Sequence, residues 1–114
     1  MYSILTMSLD GVPYGPTKVT ATDANTTLPA ALITNTSVVA NQTRKAIRMV
    51  ITCEDNPVRY AFGGIIPTQA GLGHILYPGA SLVIGHPAGI ASFRYINHTN
   101  AANANLQITG EYNE

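Results

Sequence analysis

The sequence predicts an all-β fold, a single-domain β-sandwich or jelly-roll-like domain, on three observations. Apolar and polar residues alternate over short runs, most plainly in Ile47-Arg-Met-Val-Ile-Thr-Cys53 and Leu106-Gln-Ile-Thr-Gly-Glu-Tyr112. Clusters of Gly, Pro and Asn stop these runs after a few residues, as turns between strands do. No stretch sustains a helical period, and there is no internal repeat. Seven or eight short strands spaced this way suit a sandwich better than a mixed fold. A chain of 114 residues is one domain with room for a core.

Taken in order, Met1 to Leu9 reads as a first strand, with Leu5, Met7 and Leu9 on one face, ended by Asp10-Gly11 and by Pro13 to Pro16. Residues 1–16 are accordingly read as an N-terminal strand or arm that contacts a partner, and 17–114 as the sandwich. Thr17 to Ala21 reads as a short edge strand and Asp23 to Thr27 as turn material. Leu28 to Ile33 suits a strand or one helical turn, with Pro29 disfavouring a central strand. Ile47, Met49, Ile51 and Cys53 face inward on the strongest strand, with Arg48, Val50 and Thr52 on its other side. Glu54-Asp-Asn-Pro57 favours chain reversal, so Ile47–Cys53 and Val58–Phe62 are expected to form a hairpin. Gly63 to Gly73 is expected to be a long, flexible connection containing Pro67, of a length that tends to carry function. Strands follow at His74 to Tyr77, Ala80 to Ile84, Ser92 to Ile96 and Leu106 to Tyr112.

Charge bounds the partners. Only 11% of residues are charged, six basic against six acidic, and of the cations only Arg44, Lys45 and Arg48 cluster. Nucleic-acid binding needs a basic face that this chain lacks. A net charge of zero, on a surface built from Thr and Asn, fits a protein whose surface is largely covered by partners. The N-terminus has no basic flank and long apolar run, and no run approaches the roughly 20 residues of a membrane span. The expectation is a soluble protein made in a cytoplasm that begins at or near Met1.

Catalytic chemistry finds little support. Cys53, the single cysteine, lies in the apolar phase of a strand beside Glu54 and Asp55, which raise a thiol pKa rather than lower it. Glu54 and Asp55 are adjacent and suit a turn, bonded to backbone amides. There is no Gly-x-Ser-x-Gly elbow, and Gly71-Leu-Gly73 lacks the Lys and helix of a phosphate loop. His74 and His86 faintly resemble the second motif of cupins, whose first motif is absent; structural histidines at strand ends are the plainer reading. No catalytic, cofactor or metal residue is assigned. The sequons at Asn25, Asn35, Asn41 and Asn97 arise readily in a chain this rich in Asn and Thr.

Aromatics divide into two sets. Tyr60, Phe62, Phe93 and Tyr95 sit in alternating phase as core, while Tyr2, Tyr14, Tyr77 and Tyr112 lie near termini and turns as lids or interface anchors. Ile65, Ile66 and Leu72 in the glycine-bounded loop are costly to leave in water, at roughly 25 cal/mol per Å². They either tuck onto the core or meet a partner. Tyr2, Tyr14, Ile65, Ile66 and Leu72 are the candidate interface residues.

One resemblance adds a role. Glu54-Asp-Asn-Pro-Val-Arg-Tyr-Ala-Phe-Gly-Gly64, Pro67-Thr68, Gly73-His-Ile-Leu-Tyr-Pro-Gly79, Ile90-Ala-Ser-Phe-Arg-Tyr-Ile96 and Leu106-Gln-Ile-Thr-Gly-Glu-Tyr112 follow in an order that resembles small structural proteins of tailed bacteriophages. The resemblance covers Lys45 to Tyr112. It implies a non-enzymatic virion β-domain, a capsid decoration or cement protein on the capsid surface, whose partners are the major capsid (coat) protein and further copies of itself, with a trimer favoured. A tail, connector or head-fibre component is the alternative. A small cupin-like metal-binding enzyme and a sugar-binding module are alternatives of another class.

Overall fold

In a computed structural model, which describes residues 11–39 and 42–113, the chain forms two antiparallel sheets around one core. The elements are β1 (Val12–Ala21), β2 (Thr26–Thr27), α1 (Ala30–Ile33), β3 (Thr34–Val39), β4 (Gln42–Cys53), β5 (Val58–Ala61), β6 (His74–Leu76), β7 (Ser81–Ile84), α2 (Pro87–Ser92), β8 (Arg94–Asn97) and β9 (Ala104–Tyr112). One sheet runs β1-β9-β4-β3, with β7 also paired to β4; the other runs β2-β8-β5-β6. The fold is all-β, as the alternation and turn spacing predict.

Strands β9 and β4 supply the floor of the core. Ala104, Leu106, Ile108, Gly110 and Tyr112 are buried at every second position of β9, the period-two pattern of a half-buried strand. Met49, Ile51 and Cys53 face the same core from β4. A register shift between Ala46 and Arg48 breaks the expected phase, so that Ala46 is buried and Ile47 only half-buried. Val58, Leu76 and Tyr95 join the core from the second sheet. Gly110 lets Tyr112 fold back along its own strand, because a Cβ there would lie 2.7 Å from the ring. The Tyr112 hydroxyl then donates to the Leu32 carbonyl at 2.6 Å, satisfying a buried group and tying α1 to β9.

The expected hairpin between Ile47–Cys53 and Val58–Phe62 does not form; β4 and β5 lie in different sheets. Both edges of β4 are occupied over Met49 to Thr52, by β9 on one side and β7 on the other. The Glu54 to Pro57 turn therefore crosses between sheets. Its Asp55 carboxylate accepts from the Asn105 amide at 2.9 Å and from the Asn105 side chain at 2.8 Å, holding the turn against β9.

Other boundaries also move. Pro13 to Pro16 do not end a strand. They lie inside β1, at the edge of its sheet, which absorbs them with a cis Gly15-Pro16 bond and a register shift between Tyr14 and Thr17. Thr26 and Thr27, expected as turn, pair with β8. Leu28 to Ile33 resolves into a helical turn at Ala30–Ile33. Residues 87–92 form α2, whose Pro87 begins the helix while His86 accepts the Ala88 amide at 3.1 Å, so the strand expected from Ser92 starts at Arg94. The strand expected over Met1 to Leu9 lies outside the described residues.

Candidate functional site

The segment between β5 and β6 is held in place by residues outside it. Gly63 and Gly64 turn the chain with φ of 69° and 86°, conformations that glycine adopts without strain. Pro67 is buried beyond them. The Thr68 amide donates to the Leu72 carbonyl at 2.9 Å, and the Leu72 amide donates to the Thr68 hydroxyl at 3.1 Å, closing a small ring of chain. Arg59, on β5, donates to the Gly73 carbonyl at 3.0 Å. Gly73, at φ 120°, passes so close to the Tyr60 carbonyl that a Cβ would sit 3.0 Å from it.

The centre of the loop is tied to the far end of the sheets. Gln69 donates to the Asp23 carboxylate at 3.2 Å and to the Asn97 side-chain carbonyl. Asp23 Oδ1 also accepts from Asn97 Nδ2 and from the Ala101 amide, both at 2.8 Å. Asn97 is wholly buried.

So anchored, the loop leaves its apolar side chains in water. Ile65, Ile66 and Leu72 are 51%, 51% and 53% exposed. Ile65 and Leu72 join Ala61, Phe62, Gly73 and His74 around a groove of about 410 Å³. Beneath it lies an aromatic stack: Phe62 meets Phe93 at 5.5 Å and Tyr60 at 5.9 Å between centroids, and Tyr60 meets His74 at 5.5 Å.

No protein-family model, curated protein or solved structure matches this chain. The candidate site is read from its own geometry.

Of the five candidate interface residues, the structure brings together Ile65 and Leu72 at the groove, with Ile66 exposed on the same loop. Tyr14 is 41% exposed on the edge strand β1 and does not line the groove. Tyr2 lies outside the described residues. Ala61, Phe62, Gly73 and His74 are the groove residues the sequence reading did not assign to an interface. Phe62 reads as core because it alternates with Tyr60, but β5 ends at Ala61, and this frees it to reach the groove.

The polar candidates have structural roles. Cys53 is buried, its thiol donates to the Asn56 carbonyl at 2.9 Å, and burial, then Asp55 and Glu54, push its pKa up to about 11. His86 caps α2, and His74 packs on Tyr60. No group of three or more His, Cys, Asp or Glu that could hold a metal occurs among the described residues. Asn35 and Asn97, two of the four sequon asparagines, are buried and closed to a glycan.

Two carboxylates are expected to lend the fold acid sensitivity. Asp23 is lowered from the ordinary carboxylate value by the Asn97 side chain and the Ala101 amide, and Asp55 by the Asn105 amide. A depressed folded-state pKa stabilises above the unfolded value of about 3.9 and loses that stabilisation as pH falls through the folded value. Unfolding free energy is therefore expected to be level down to about pH 4 and to fall below it, with a shallower fall in an Asp23→Asn, Asp55→Asn variant. Denaturant melts across pH check this; an acid slope unchanged by the substitutions contradicts it.

Proposed function

We propose that this chain is a non-enzymatic capsid decoration (cement) protein that docks across neighbouring coat subunits of a tailed-bacteriophage virion and stabilises the shell. The observation that carries the docking is the anchored loop, which keeps Ile65, Ile66 and Leu72 half in water while its backbone is fixed by Arg59 and Gln69. A fixed apolar surface binds without first paying for loop ordering. The phage setting is supported by the order of short motifs from Lys45 to Tyr112, and the largely covered surface by a net charge of zero. Copies of the chain associate, as a trimer, on the shell. Binding only to the assembled shell stabilises it by mass action.

Quantitative mass spectrometry of purified particles from the source tests the reading. Copies of this chain are expected to scale with the number of coat subunits. A few copies per particle would assign it to the tail, connector or head fibre; none would overturn the virion reading.

A further inference from the structure

We infer that Gln69 is a positioning residue: its side chain, held between Asp23 and Asn97, latches the Gly63–Gly73 loop in the form that presents Ile65 and Leu72. This inference rests on the docking reading above and names what makes that surface ready to dock.

Gln69 makes the long-range tie at the middle of the loop. Its partners are Asp23, in the connection from β1 to β2 between the two sheets, and Asn97, the last residue of β8. The Ala101 amide, bound to the same Asp23 oxygen, precedes β9. One amide side chain thus ties the loop directly to the β1–β2 connection and to the end of β8, and through Asp23 to the segment before β9. The partners are themselves held. Asn97 is wholly buried, its side-chain NH₂ is committed to Asp23, and its backbone amide donates to the Thr22 carbonyl at 3.0 Å. Gln69 supplies the partner for the remaining acceptor, Asn97 Oδ1. Without Gln69 that buried carbonyl loses its described partner, and the loop is left with its Thr68 to Leu72 closure, the Ile65 amide's bond to the Phe62 carbonyl, the buried Pro67 and the ties from Arg59 to the Gly71 and Gly73 carbonyls.

A loop without its central tie samples conformations in which Ile65 and Leu72 turn away from water. Apparent affinity then drops by the fraction of molecules that remain in the competent form. The latch is thus expected to show in both loop exchange and docking.

Amide hydrogen exchange separates the latch from the docking. In Gln69→Ala, the Thr68 and Leu72 amides are expected to exchange at least about tenfold faster, while the Ile108 amide in β9 changes little. Binding of the same variant to source particles stripped of this chain is expected to weaken about tenfold. Unchanged exchange at Thr68 and Leu72 overturns the latch, even where Leu72→Asp abolishes docking. Equal acceleration at Ile108 also overturns it, because Gln69 would then support the whole fold. Faster loop exchange, with docking unaffected in both Gln69→Ala and Leu72→Asp, overturns the docking reading and the positioning role with it.

Discussion

Phe93→Ala is expected to destabilise the domain by about 3–5 kcal/mol, the usual cost of deleting a buried aromatic ring. Phe93 is 1% exposed and stands at the centre of the aromatic stack, with centroids 5.6 Å from Tyr60, 5.5 Å from Phe62 and 5.7 Å from Tyr95. Removing it opens a cavity bounded by three other rings, of which Tyr60 and Phe62 also pack on each other at 5.9 Å, so the space collapses only partly. Against a total stability of about 5–15 kcal/mol, a loss of this size leaves the fold marginal. The denaturant midpoint of the purified variant checks it. A loss below about 1 kcal/mol would mean that the ring is not packed as described. The same stack underlies the groove through Phe62, so core and surface are coupled here.

The loop behaves in the opposite way. Ile65→Asp with Leu72→Asp is expected to abolish docking while changing stability by less than about 1 kcal/mol, because both side chains are half-exposed before binding. Central apolar anchors are worth about 2 kcal/mol or more each in an interface. Two of them, each replaced by a charge that must be desolvated, amount to a loss of about a thousandfold in affinity. A thermal or denaturant melt overlaying that of the unaltered protein is the expected control. A melt collapsed as in Phe93→Ala would show the loop to be part of the core.

The fold class was legible because β9 alternates along its whole length and β4 does so from Met49 to Cys53, and Leu106, Ile108 and Tyr112 fall on the buried side as their spacing requires. The pairing was not legible. Glu54-Asp-Asn-Pro57 carries the residues of a hairpin turn, yet partner choice for β5 depends on edges of β4 that β7 and β9 occupy from distant parts of the chain. Helix α2 was missed because Pro87-Ala-Gly-Ile-Ala-Ser92 is too short for a periodic signal, and Gly89 reads as a breaker although it sits close against Ile84. In the site, Ile65, Ile66 and Leu72 announce themselves as apolar residues in a glycine-bounded loop. Whether such residues tuck inward depends on anchors far away in sequence, and the Gln69 contacts with Asp23 and Asn97 leave no local trace.

Saturation binding to source particles stripped of this chain, comparing the unaltered protein with the Ile65→Asp, Leu72→Asp variant, tests the docking claim most directly. The account predicts that the unaltered protein saturates in proportion to coat subunits and that the variant stays unbound at concentrations about a hundredfold higher. Equal binding by the two proteins would contradict it.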